Sequence, residues 1–200
     1  LAYVNAIIPG APAIFGLWCF VSDLRSGAMS GGSPEQVLLS AASAQMAHFY
    51  NLTGGTSSGI SDAKFPDAQS GSEKGINHAL VGNAGMNLIY EAAGMHGSLL
   101  GYSLEGVVLD NDTIGSVQRT IRGIQVTDES LSIETMRAQC IDGPGHYLGA
   151  EQTLRIMQSE YLYPAVGDRL SSKEWKEVGS PKINDVARKK VKEILDNHYP

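Results

Sequence analysis

The chain has 200 residues, 42% of them hydrophobic, and a formal net charge of −6. That length suffices for one domain with an apolar core. The basic residues are scattered until Arg188, Lys189, Lys190 and Lys192, which acids flank, so no basic face marks a nucleic-acid partner. The two cysteines, Cys19 and Cys140, stand far apart without a CxxC pair. They fit a reducing, cytoplasmic setting and argue against a structural zinc or other bound metal.

No apolar run approaches the roughly 18 residues of a membrane span, and no basic segment precedes an apolar stretch as in a signal peptide. The opening residues LAYVNAII read as the tail of an apolar helix, which suggests a fragment. PGAPAIF is a turn followed by a short apolar run, and Ala13–Phe15 is expected as a buried strand. A glycine-rich loop, Gly16 to Gly32, leads to Ser33-Pro34-Glu35. Ser as N-cap, Pro at the first helical position and an acid in the first turn start a helix. It is expected to run to about Tyr50 with Val37, Leu38, Ala41, Ala44 and Ala47 on its buried face.

Thr53–Ser57 is a polar, glycine-rich strand candidate. Asp67 can cap a helix from about Ala68 to Asn83. Met86–Tyr90 reads as a further buried strand ending in Glu91, and Ser103 begins a long helix with Glu105 near its start and an apolar side of Leu104, Val107, Val108, Ile114, Val117 and Ile121. Strand–loop–helix units therefore recur, with long polar loops after the strands. This is the rhythm of a parallel α/β protein and of a (β/α) barrel in particular. Three such units are visible where a barrel needs eight, so the chain is either part of a barrel or a smaller open sheet. The division is expected near residue 125, with 1–125 as partial barrel and 126–200 as a helical C-terminal region. Helices are expected there at about 129–140, 150–160, 172–178 and 183–198.

The densest chemical grouping is Ser61, Asp62, Lys64, Asp67, Gln69, Glu73 and Lys74, in a loop after a strand, where such a barrel carries its catalytic groups. Spacing alone leaves a solvated loop with a capped helix equally open. Glu73 follows Gln69 by one turn, so both can share a helix face. Glu91 directly follows an apolar strand and has His96 in the same loop, a position suited to acid–base work. His48 and His146 read as structural, and His78 as facing solvent or packing. Trp18 and Phe20 lie just beyond the first strand. Aromatics at a pocket mouth can hold a quaternary ammonium with about 0.5–2 kcal/mol per contact. No HExxH, Walker A or GxGxxG pattern is present.

At these residues the chain resembles the trimethylamine methyltransferase family. PGAPAIFG, SDLRSGAMSGGSPE, SDAKFPDAQSGSEK, SLEGVVLDNDTIG with RGIQVTDESL, and GPGHYLGAEQT occur in family order and span nearly the whole chain. The resemblance implies the C-terminal part of a TIM-type (β/α)8 barrel with an added helical C-terminal region. It implies transfer of a methyl group from a methylated amine to the Co(I) of a corrinoid, a cobalamin carried by a separate partner protein. Trimethylamine-using archaeal members carry pyrrolysine just before a TDSK-like motif. The corresponding position here is Ile60, within Gly59-Ile60-Ser61-Asp62, and glycine-betaine-type members also lack pyrrolysine.

A quaternary ammonium departs as a neutral amine and needs no general acid, so Ile60 suits a betaine-like substrate. A trimethylamine enzyme without pyrrolysine and a non-catalytic quaternary-amine-binding homologue are the alternatives. The resemblance assigns Asp62, Lys64, Gln69, Glu73 and Glu105 to catalysis, and Trp18, Phe20, Ile60, Glu91 and His96 to substrate binding. A partial barrel leaves sheet edges and apolar faces uncovered, so self-association into a homo-oligomer is expected.

Overall fold

The computed structural model describes residues 2–199. Leu1, the first residue of the expected apolar helix, lies outside the described residues. Helix α1, Ala2–Ile7, is followed by a parallel three-stranded sheet in sequential order: β1 (Ile14–Gly16), β2 (Thr53–Ser57) and β3 (Leu88–Tyr90). Helix α2 (Pro34–Phe49) joins β1 to β2, and α3 (Ala68–Asn83) joins β2 to β3. After β3 a short antiparallel hairpin, β4 (Met95–His96) with β5 (Gly101–Tyr102), precedes helix α4 (Leu104–Arg122). The sequence reading takes this hairpin as plain loop. The fold is thus mixed α/β with a parallel sheet; the three strands described do not close a barrel. No helix among the described residues is long and apolar enough to cross a membrane.

Local chemistry starts the helices. The Ser33 side chain accepts the Gln36 N–H at the head of α2, and Asp67 accepts the Ser70 N–H at the head of α3, each satisfying a backbone donor that has no helical partner. Successive strand residues point to opposite faces, and glycines at adjacent positions of β2 let two neighbours approach. A Cβ at Gly54 would stand 2.9 Å from the Ala47 methyl and 2.8 Å from the Met86 sulfur, whereas one at Gly55 would meet the Tyr90 hydroxyl at 2.2 Å. Gly54 therefore faces the α2 side, where Ala44, Val81 and Met86 form a small apolar core with Ile89 against it. Gly55 faces the other side, along which Ile14, Leu88 and Tyr90 remain exposed.

The buried side of α2 is more polar than its sequence suggests. Gln36, Val37, Ser40, Ser43, Ala44 and Ala47 are buried, and Leu38 is exposed. Serines and alanines permit close helix–sheet approach; a leucine at position 38 lies off that contact.

The chain separates into two compact units. One runs to Ile121 and resumes at Ala165; the other is Arg122–Pro164. The second contains α5 (Asp128–Leu131), α6 (Ile133–Cys140) and α7 (Glu151–Glu160). The sequence reading assigns everything beyond residue 125 to one helical region. In the structure, α8 (Ser172–Glu177) and α9 (Ile183–Asn197) belong instead to the sheet-bearing unit. The cause is visible at Asp112 on α4, whose carboxylate accepts the backbone N–H groups of Ala165, Val166 and Gly167 at 2.8–2.9 Å. Asn184 on α9 adds a hydrogen bond to the Pro66 carbonyl.

Candidate active site

Parallel strands place the loops that follow them at one edge of the sheet, and three such loops meet at Asp62. The post-β1 loop supplies the Ser30 hydroxyl at 2.5 Å from Oδ2 and the Gly32 N–H at 3.2 Å from Oδ1. The post-β3 loop supplies the Ser98 hydroxyl, also donating to Oδ1. Asp62 itself belongs to the post-β2 loop. One carboxylate thus accepts from both neighbouring loops, and charge-assisted bonds of this kind are among the stronger ones available.

Glu73 performs a similar task from α3. Its Oε2 accepts the Ser61 hydroxyl at 2.7 Å and the Asp62 N–H at 2.8 Å, and its Oε1 accepts from Gln69 Nε2 at 2.8 Å. The shared helix face expected for Gln69 and Glu73 is thus a direct hydrogen bond. The acceptor atoms of both carboxylates are engaged by the chain's own donors, an arrangement that braces the loops. Gly32 is tied to this brace sterically, because a Cβ there would fall 2.4 Å from Glu73 Oε2. Lys64 turns back and donates to the Asp62 carbonyl at 2.7 Å.

Ile60 is buried, and a Cβ at Gly31 would lie 2.5 Å from its Cγ2. It packs beneath the post-β1 loop. Trp18 and Phe20 sit on that same loop, 49% and 53% exposed, with ring centroids 5.5 Å apart and planes tilted by 36°. They make an aromatic corner open to solvent.

Glu91, the first residue beyond β3, has a left-handed backbone with φ of 53°. Such a conformation is uncommon for a non-glycine residue and concentrates at functional positions. Its Oε2 is buried and, among the described residues, has no hydrogen-bond partner. Desolvation raises the Glu91 pKa above the ordinary 4.5. The folded state therefore holds this proton more tightly than the unfolded chain, and the group's contribution to stability is lost as pH rises from about 4.5 through the folded value. Glu91→Gln, which carries no charge at any pH, should remove that loss. Its melting temperature should gain on the native protein's between pH 4 and neutrality, with a parallel pH dependence counting against a desolvated carboxylate.

Two histidines are buried where the sequence gives little sign of it. His78 on α3 donates from Nε2 to the Ala92 carbonyl at 2.9 Å, so its Nδ1 accepts the Ser58 hydroxyl at 2.9 Å. Burial lowers its pKa, consistent with a neutral ring bracing the post-β2 and post-β3 loops. Gly59 stays open beside it, since a Cβ there would lie 2.6 Å from His78 Nε2 and φ is +92°. His96 is also buried, with Ser70 Oγ 3.5 Å from Nδ1; its pKa is lowered by desolvation first and by the nearby Lys74 charge second.

Beneath the post-β3 loop lies an ion pair missed by sequence reasoning in part: Lys74 was within the dense polar grouping, but its partner was not. Lys74 Nζ stands 2.6 Å from Asp110 Oδ2, and the same oxygen accepts the Gly94 N–H at 2.7 Å. The only sequence signal is an acid on the apolar side of α4.

Of the proposed site residues, Lys64, His96 and Glu105 line one cleft of about 380 Å³. Phe65, Tyr102 and, from α9, Arg188 line it with them. Asp62, Gln69 and Glu73 form the brace beside it, while Trp18 with Phe20, Ile60 and Glu91 occupy the three environments described above.

The family profile for trimethylamine methyltransferase matches residues 1–200. The chain belongs to the trimethylamine methyltransferase family. Among its relatives, a trimethylamine methyltransferase of Methanosarcina thermophila is 37% identical over 190 residues, covering 95% of this chain and 38% of that protein. The glycine betaine methyltransferase of Desulfitobacterium hafniense (strain Y51) is 30% identical over 202 residues, covering 100% of this chain and 41% of that protein. A trimethylamine methyltransferase of Desulfitobacterium hafniense (strain DSM 10664 / DCB-2) is 29% identical over 191 residues. The chain therefore spans about two fifths of the length of these family members. Its relatives carry both kinds of name, trimethylamine methyltransferase and glycine betaine methyltransferase, so family membership leaves the amine open.

Proposed function

We propose that this chain is the C-terminal part of a (β/α)8 barrel enzyme that moves a methyl group from a quaternary amine of the glycine betaine kind to a corrinoid held on a separate protein. The observation that carries the substrate choice is Ile60. An aliphatic, buried side chain at this position offers no proton and no covalent handle, and a quaternary nitrogen requires neither. When the methyl carbon–nitrogen bond breaks, its electron pair returns to nitrogen and a neutral amine leaves. The corrinoid supplies the nucleophile.

What remains for the protein is positioning and exclusion of water. Trp18 and Phe20 would face the cation with their rings. Glu91, desolvated and unpaired on one oxygen, would gain most from a cation beside it, since an opposite charge offsets the cost of burying a carboxylate. Asp62, Gln69 and Glu73 would hold the loops in place, with Lys64, His96 and Glu105 on the flank of the site. The barrel belongs to the same proposal: three sequential parallel strands, helices on one face and post-strand loops meeting at one edge are its repeating pattern.

A second reading is a trimethylamine enzyme working without pyrrolysine. It is favoured by the identity to the Methanosarcina thermophila trimethylamine enzyme, which exceeds that to the betaine enzyme. Methyl transfer to the reduced corrinoid protein, measured with glycine betaine, carnitine, choline and trimethylamine, separates the two. Turnover of a quaternary compound with none of trimethylamine is expected; the reverse pattern selects the second reading.

A further inference from the structure

Tyr90 ends β3 on the sheet face turned away from α2, and the methyl-transfer reading gives it no role. Register puts it there. Gly16 pairs with Gly55, Gly55 with Leu88 and Ser57 with Tyr90. Residues paired across parallel strands share a face, as do those two apart in one strand. Gly16 and Gly55 therefore leave two adjacent positions of this face without side chains, and the tyrosine lies over the bare patch. A Cβ at Gly55 would stand 2.8 Å from Tyr90 Cζ and 3.3 Å from Cε2, as well as meeting the hydroxyl. One side of the ring is thus seated on the backbone of β2. Tyr90 nonetheless stays 38% exposed, so the side of the ring turned away from the sheet is open.

The exposed aromatics of the post-β1 loop start from the same edge. Trp18 follows Gly16 by two residues, the spacing that returns a side chain of an extended chain to one face. Leu17 between them is tied to β2, its carbonyl accepting the Thr56 hydroxyl at 2.9 Å. Gly16, Ser57 and Tyr90 are the last residues of their strands, and in a barrel the C-terminal strand ends carry the site.

We infer that Tyr90 is a specificity-determining residue whose open ring face receives the methylated ammonium group, an inference that rests on the quaternary-amine reading above. The glycine floor lets the ring lie flat, and a ring already in place loses little freedom when the cation arrives. Its quadrupole attracts a cation, whereas a neutral group of the same shape gains contact alone. The tyrosine hydroxyl takes no part.

The test uses the intact enzyme and two ligands of one shape: glycine betaine, and 3,3-dimethylbutyrate, in which carbon replaces the charged nitrogen. In calorimetric titration the native enzyme should bind the betaine more tightly. Tyr90→Leu should weaken betaine about tenfold, as loss of a cation–π contact would, and change dimethylbutyrate by less than about twofold. Tyr90→Phe should bind betaine as the native enzyme does. Tyr90→Met, whose flexible side chain can fill the space over Gly55, should behave like Tyr90→Leu and carries the test if the leucine variant does not fold. The inference is overturned by native betaine affinity in a folded Leu or Met variant, by equal losses for the two ligands, or by a loss in Tyr90→Phe as large as in Tyr90→Leu; each of these leaves the quaternary-amine reading standing. A native enzyme that binds and demethylates no quaternary amine overturns that reading, and the inference with it.

Discussion

Lys74→Met is expected to destabilise the fold by about 3–5 kcal/mol, the usual cost of removing one partner from a buried ion pair. Lys74 is fully buried and Asp110 nearly so, with side-chain exposures of 0% and 7%. Methionine fills similar space, so the effect would report charge rather than a cavity. It leaves the Asp110 carboxylate buried with the Gly94 N–H as its remaining described donor. At about 2–4 °C per kcal/mol for a chain of this size, the melting temperature should fall by about 6–20 °C. Lys74→Met combined with Asp110→Leu should recover most of the loss, since replacing both charges removes the uncompensated one. A deficit of about 1–3 kcal/mol should persist, because Gly94 N–H would then lack its acceptor. A single variant as stable as the native protein in thermal or urea unfolding would show that the pair is not buried in solution.

Asp62→Ala should reduce methyl transfer about 100-fold in the intact enzyme while secondary structure is retained. The reasoning is geometric. Asp62 accepts from both the post-β1 and post-β3 loops, the loops that carry Trp18, Phe20, Glu91 and His96. A displacement of about 1 Å in such loops can cost about 10²-fold in rate. Asp62→Asn keeps one oxygen acceptor and should lose less, about tenfold, by the same reasoning. Because the role is positioning, the loss should fall on kcat and KM together, and the Ser30 and Ser98 loops should become more susceptible to proteolysis. Unaltered transfer by folded Asp62→Ala would remove the brace from the mechanism.

The amino-acid sequence by itself determined what is settled within a few residues. The head of α2 follows from Ser33, Pro34 and Glu35, that of α3 from Asp67, and that of α8 from the reciprocal bonds of Ser171 and Glu174, because a cap needs a side chain within three residues of an orphan N–H. The strand–loop–helix rhythm was legible for the same reason, as was the concentration of polar groups after β2. Even Thr53–Ser57, too polar to be a convincing strand, was placed correctly; only the structure explains it, since Gly54 and Gly55 admit close neighbours on both faces of the central strand.

Tertiary structure alone decided the rest. That Asp62 serves Ser30 and Ser98, that Lys74 finds Asp110, that His78 and His96 are buried, and that α9 brings Arg188 to Glu105 are all pairings between residues distant in sequence. No local preference encodes them. They depend on helices docking against the sheet, on parallel strands delivering their loops to a common edge, and on Asp112 drawing the chain from Ala165 onward back to α4. The chemistry of the site resides in those long-range contacts, which is why residue types could be read along the chain while their roles required the fold.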